Sequence, residues 1–251
     1  MLNRRTFIGY LGVLMPGILL SNGLIHLFEK INQYTGNKNG ASRLRNHLSP
    51  DIKVIGIGSA GCFALNHLIK SDISSVDFMV IGSDLEELAC SMANTKIYID
   101  IDKVYGIESP MYTELARKAI KEKKQEITSI LKNSKLVVII AGLGCFQSSG
   151  TTDVLTRLAN GYFNISTHNT HFVVTLPFNF EGPKRMVRAQ NHLRNLQIYS
   201  HSITILPNQD IIKIVGSSKS SVSDVFYLSN QRISMSTRKI LNRYCMREDI
   251  T

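Results

Sequence analysis

Residues 136–158 read LVVIIAGLGCFQSSGTTDVLTRL, and their order decides the fold. Leu136 to Ala141 is an unbroken apolar or small run, the pattern of a strand buried on both faces. A turn with Gly142, Gly144 and Gly150 follows, and an amphipathic helix is expected from about Gly150. Glycine permits positive φ and close backbone approach, while Gln147, Ser148, Ser149, Thr151 and Thr152 offer neutral donors. Donors converging on a helix N-terminus suit an anion such as phosphate. Cys145 and Phe146 stand in the same loop and are bulkier than a tight cradle favours.

Working outward, strands and helices alternate from Ile52 onward. Strands are expected at Lys53–Ile57, Val76–Ile81, Lys96–Ile99, His171–Leu176 and Ser202–Leu206. Helices are expected over Gly61–Lys70, over Tyr112–Leu131 with its apolar residues on one face, and between the last two strands. The alternation predicts an α/β fold, a Rossmann-like parallel sheet with helices on both faces, whose ligands sit at the carboxyl ends of the strands. A second glycine loop lies at such an end. Gly56-Ile57-Gly58-Ser59-Ala60-Gly61 has the spacing GxGxxG, and Asp84 ends the next strand. Taken alone, this pattern also fits a dinucleotide-dependent oxidoreductase, with the acid as ribose partner.

The chain has 251 residues, 43% hydrophobic and 19% charged, which is globular in character. Its net charge of +10 is uneven: residues 1–50 carry +5, 51–179 carry −1 and 180–251 carry +6. The basic ends have no aromatic-interleaved motif, so no nucleic acid partner is expected. Cys62, Cys90, Cys145 and Cys245 lack zinc-site spacing and read as reduced thiols.

Residues 6–28 contain no Asp, Glu, Lys or Arg, and their 23 residues are enough to cross a bilayer as a helix. Arg4-Arg5-Thr6-Phe7-Ile8 also has the form of a twin-arginine export signal. Three readings stand: an uncleaved membrane anchor, a twin-arginine signal, or a buried or interfacial helix. Residues 1–30 are thus set apart as anchor or signal, 31–50 as an Asn-, Gly- and Ser-rich linker, and 51–251 as the folded domain. An anchor would leave the domain membrane-associated on the cytoplasmic side, whereas the twin-arginine route would export it.

The segment Thr175-Leu176-Pro177-Phe178-Asn179-Phe180-Glu181-Gly182-Pro183-Lys184-Arg185-Met186, with Ile205-Leu206-Pro207-Asn208 after it, resembles the FtsZ/tubulin GTPase family. IKVIGIGSAGCFALNHL resembles that family's first strand, glycine loop and helix, and AGLGCFQSSGTTDV takes the place of its signature GGGTGTG. The resemblance runs from about Ile52 to about Arg243 and covers the nucleotide-binding half. It implies GTP or GDP as ligand, Mg²⁺ accompanying bound nucleotide, and self-association or attachment to an FtsZ-type filament through head-to-tail contacts.

By the same resemblance, the first loop maps to Gly58, Ser59, Ala60, Gly61, Cys62 and Phe63, where the family has mostly glycine and, last, Asn. The side chains here are expected to crowd that loop. The signature loop maps to Gly142, Gly144, Cys145, Phe146, Gln147, Ser148, Ser149 and Gly150. Glu108 falls in a loop near the phosphates and opposes their charge. Glu181 and Arg185 match the ribose-side acid and base, Phe226 the base-side aromatic, and Asn230 or Gln231 the place of the guanine-reading acid. The family's catalytic acidic loop would begin about where Thr251 stands, and Asp210 and Glu248 are the acids left to replace it. Together with the apolar run at residues 6–28, the resemblance leads to the expectation of a membrane-tethered, catalytically impaired GTP-binding domain with a regulatory or structural role at a cell-division filament. An active polymerising GTPase is the alternative.

Overall fold

The structure, a computed structural model, describes residues 52–71, 73, 76–100, 110–132, 134–144, 170–200, 202–215 and 220–248. Residues 1–51, with the expected anchor or signal and the linker, lie outside the described residues, as do Glu108 and 145–169. Among the described residues no helix is long and apolar enough to cross a membrane.

Six strands form one sheet: β1 (Ile52–Ile57), β2 (Asp77–Gly82), β3 (Thr95–Tyr98), β4 (Leu136–Gly142), β5 (Thr170–Leu176) and β6 (Ile203–Pro207). All pairings are parallel, in the order β3-β2-β1-β4-β5-β6. The predicted parallel α/β sheet is therefore present. Seven helices are described: α1 (Gly58–Ile69), α2 (Leu85–Cys90), α3 (Pro110–Glu122), α4 (Lys124–Leu131), α5 (Pro183–Tyr199), α6 (Gln209–Val215) and α7 (Val222–Glu248).

Side chains alternate across each strand, so the apolar runs feed two cores. On one face, Ile55, Ile57, Met79, Ile81, Val137 and Ile139 meet Ile120 of α3, Ile127 and Leu131 of α4, and Ala189 and Leu196 of α5. On the other, Val54, Phe78, Val80, Val138 and Ile140 meet Leu65 and Leu68 of α1, Leu88 of α2, and Ile233 and Leu241 of α7.

Two boundaries depart from the sequence reading. The helix expected over Tyr112–Leu131 is two helices, because Lys123 leaves the helical region at φ −82°, ψ 7°. The helix expected from Gly61 begins at Gly58. A Cβ on Gly61 would lie 2.6 Å from Gly56 C and 2.9 Å from Ile140 O, and one on Gly56 would lie 2.6 Å from Gly61 O. The outer glycines of the GxGxxG loop therefore set the first turn of α1 directly on β1 and β4.

Candidate functional site

Strand order reverses between β1 and β4. Their connections leave in opposite directions there and open a crevice at the carboxyl edge, the usual ligand position in such sheets. The two glycine loops, with Gly61 and Gly144 83 residues apart in the chain, meet at this crevice because Ile57 pairs with Ala141.

At the β1 side, Gly58 has φ +62°, and a Cβ there would meet nothing within 4 Å. It is the glycine of the loop that faces open space. Ile57, the residue before α1, makes no side-chain cap, and the first turn holds no acid. The first N–H groups of α1 have no helical acceptor, and the helix dipole favours an anion beside them.

The side chains expected to crowd this loop point elsewhere. The Ser59 hydroxyl donates to the Glu87 carboxylate of α2. Cys62 is 1% exposed, its thiol donates to the Glu87 carbonyl at 3.4 Å, and burial pushes its pKa up to about 11. Ala60 turns toward β4, where it would lie 2.9 Å from a Cβ on Gly142. Phe63 is half-buried on α1. By position, Cys62 and Phe63 already lie within the helical ladder, so neither the Cys62 thiol nor their N–H groups are available to a ligand. What remains for one is the backbone of Gly58, Ser59 and Ala60.

On the β4 side, Leu143 N donates to Thr175 O at 2.9 Å, carrying the strand pairing past Gly142. Gly144 has φ +95°, and a Cβ on it would lie 2.8 Å from Arg185 O and 3.1 Å from Pro177 Cγ. Its carbonyl accepts from Arg188 Nε at 3.2 Å. The start of the signature loop is thereby clamped to the start of α5. Gln147, Ser148, Ser149 and Gly150 lie outside the described residues.

At the end of β5, Glu181 Oε1 accepts from Phe178 N at 2.8 Å while Oε2 pairs with Arg185 NH1 at 3.1 Å. Gly182, at φ +97°, and Pro183 then open α5. The Glu181 side chain is 10% exposed and that of Arg185 39%, so the arginine is the more accessible partner of the pair. Arg185 Nε is buried and, among the described residues, has no hydrogen-bond partner.

Phe226 stands on α7 with its ring edge-on to Phe178 at 5.2 Å and to Phe180 at 6.2 Å, so packing accounts for much of its position. Gln231 donates to the Tyr227 hydroxyl at 3.1 Å, and Asn230 is half-buried. Ser229 donates to Asn208 Oδ1 at 2.7 Å, just beyond β6, which sets residue 229 level with the carboxyl edge. The turns of α7 before it therefore rise beyond that edge. They carry an acid that sequence reasoning passed over. Asp224 Oδ2 accepts from Ser221 N at 2.8 Å and Ser221 Oγ accepts from Asp224 N at 3.2 Å, a reciprocal cap. The Ser-x-x-Asp spacing was the signal that α7 starts here and puts this carboxylate in its first turn.

Two further readings change. Asp84 caps α2, its Oδ1 accepting from Glu86 N at 2.9 Å and Glu87 N at 3.1 Å, so its place at the end of β2 has a structural reason that needs no ribose. Asp210 pairs with Lys213 at 3.1 Å and Arg232 at 3.4 Å, and the Lys213 hydrogen bond above all holds its pKa below the usual carboxylate range. The side chain of Glu248 lies outside the described residues.

Comparisons with known proteins agree with this geometry. The model of the Tubulin/FtsZ family, GTPase domain, matches residues 51–216. The cell division protein FtsZ of Rickettsia felis is 30% identical over 201 residues, 79% of this chain and 43% of that protein. FtsZ of Buchnera aphidicola subsp. Baizongia pistaciae is 33% identical over 181 residues, covering 71% of this chain and 45% of that protein. The chain thus spans less than half the length of these curated relatives. Among solved structures, an empty FtsZ dimer from M. jannaschii superimposes with a TM-score of 0.65 at 24% identity, over 87% of this chain and 58% of that one. A GTPγS-bound protofilament of CetZ2 from Haloferax volcanii gives 0.63 at 21% identity, over 76% and 58%. Matched along most of its length by that family's model and by relatives at this identity, the chain belongs to the Tubulin/FtsZ family of GTPase domains.

Proposed function

We propose that this domain binds a guanine nucleotide at the carboxyl edge between β1 and β4 and turns it over slowly, acting on a cell-division filament as a regulatory subunit. The observation that carries the binding reading is Gly58: its positive φ and open Cβ position leave the first N–H groups of α1 bare at the crevice, with Ser59 and Cys62 turned away. Weak turnover follows from the signature loop, where Cys145, Phe146 and Gln147 replace the small and hydroxylated residues of the family pattern. Phosphoryl transfer is largely a matter of positioning and charge stabilisation, so bulk in that loop bears on rate more than on the fold. Magnesium, when bound with nucleotide, would neutralise phosphate charge beside Glu87. On the base side the acceptor is Asp224, the carboxylate of the first turn of α7, in place of Asn230 or Gln231.

The filament role rests on the relatives named as cell division proteins and on the dimer and protofilament among the structural neighbours. Residues 6–28 would tether the domain to the membrane with the domain on the cytoplasmic side. Titration of the full chain with fluorescent GTP, GDP and ATP is expected to show micromolar guanine nucleotide binding and weaker ATP binding. D224N should erase the difference between guanine and adenine. Failure of all three nucleotides to bind would overturn the nucleotide reading. GTP turnover by FtsZ filaments that is identical with and without the protein would overturn the regulatory one.

A further inference from the structure

The side of α1 that faces α2 is polar at three positions spaced i, i+3 and i+7. Ser59 bonds the Glu87 carboxylate, and the Cys62 thiol bonds the Glu87 carbonyl at 3.4 Å. Asn66 donates to Cys90 O at 3.1 Å and accepts from Met92 N at 2.7 Å. These bonds hold α2 along α1 and fix where Glu87 sits. Its carboxylate rests on the second residue of α1, beside the N–H groups proposed to receive phosphate. The oxygen and nitrogen of one serine are about 3 Å apart, so with one hydrogen bond added the carboxylate stands about 5 Å from Ser59 N.

We infer that Glu87 sets the charge preference of the phosphate site, disfavouring the more highly charged polyphosphate so that GDP binds more tightly than GTP when divalent cation is absent. This rests on the nucleotide reading above and deepens it. Ser59 keeps the carboxylate in place: the hydroxyl gives Glu87 a donor that a glycine there would not, and α2 gives it a rigid mount. A carboxylate beside those N–H groups repels each added phosphate charge, and because Glu87 is only half-buried the effect fades with salt. Like charge near the helix N-terminus also spends part of the dipole's attraction before any ligand arrives.

The test compares the full-length chain with E87Q and S59A, titrating fluorescent GDP and GTP with and without magnesium at low and high salt, after thermal melting has confirmed folding. E87A replaces E87Q should the latter fail to fold. E87Q is expected to tighten GTP about tenfold without magnesium, equivalent to about 1.4 kcal/mol, and GDP by less. The gain should shrink at high salt, and S59A, which keeps the charge but frees the carboxylate from α1, should reduce the GDP preference by less than E87Q does. Equal GTP-to-GDP preference in wild type and E87Q, with both binding, would overturn this inference and leave the nucleotide reading standing. Weaker GTP binding by E87Q would overturn it by making Glu87 a helpful group. No nucleotide bound by wild type, E87Q or E87A would overturn both.

Discussion

Replacing Gly61 by alanine tests the joint on which the site is built. The added Cβ would stand 2.6 Å from Gly56 C, 2.8 Å from Gly56 Cα and 2.9 Å from Ile140 O, all of them backbone atoms of β1 and β4. Carbon atoms reach favourable contact only at about 3.5 Å, so the first turn of α1 must lift by roughly 0.9 Å. Overpacking costs about 1–3 kcal/mol, and with backbone as the obstacle the upper figure applies. Alanine returns about 1 kcal/mol through helix propensity, leaving about 2 kcal/mol of net destabilisation. With a urea dependence of about 2 kcal/mol per molar, the unfolding midpoint should fall by about 1 M. G56A meets the same joint from the other side, at 2.6 Å from Gly61 O and 2.7 Å from Leu65 Cδ1. One lift then relieves both, so the double variant should lose much less than the sum of the two. Chemical unfolding followed by far-UV circular dichroism measures all three. An unchanged midpoint for G61A, or strictly additive losses, would refute the fused helix–sheet joint.

Gly142→Ala meets the Ala60 side chain at 2.9 Å, so A60G should rescue it, with a coupling of about 1 kcal/mol in a double-mutant unfolding cycle. Ser229→Ala leaves buried Asn208 Oδ1 without its 2.7 Å donor and should cost about 1–2 kcal/mol by urea unfolding, chiefly loosening α7. Burial, then Lys70 for His67 and Arg243 for His171, lowers both histidine pKa values below 6.5 in the folded state. The unfolded chain therefore takes up protons first as pH falls, so stability is full above about pH 6.5 and declines below it. Melting curves between pH 7.5 and 5 should show this decline, and H67Q with H171Q should flatten it; a flat wild-type profile would refute the assignment.

Much of this fold was written in period and punctuation. Leu136–Ala141 is apolar at every position because β4 is covered on both faces, and β1 and β2 follow the same rule except at the paired Lys53 and Asp77 near their starts. Gly56 and Gly61 misled the boundary of α1, since glycine reads as loop when its reason, contact with another backbone, lies outside the local sequence. The site was legible where one segment carries its own geometry. The i, i+4 pair of Glu181 and Arg185 needed no distant partner to be recognised, and it forms at 3.1 Å. Ser59 and Cys62 were placed as obstacles because their direction depends on Glu87, more than twenty residues away, and on how α2 lies beside α1. On α7, Asn230 and Gln231 were matched to the base side from sequence, whereas the level of Asp224 relative to the sheet depends on the bond from Ser229 to Asn208, which no local pattern announces.

The long helix α7 has a mechanical side as well. Its 27 residues make a rod of about 40 Å, fastened at three heights. Ser229 is pinned to Asn208, and Arg232 donates to Pro207 O at 2.8 Å, so two fastenings lie at the outlet of β6. The third lies about two turns further on: Arg238 donates to Ser71 O at 2.8 Å, at the tail of α1. A rod pinned to both bodies cannot turn about its axis without releasing all three, and it cannot ignore a shift of α1. A rocking of about 5° at one end would sweep the other through roughly 3.5 Å over that length. Load applied to the head of α1 is thus carried along that helix and handed to α7 at Ser71 and through the shared core of Leu65, Leu68, Ile233 and Leu241.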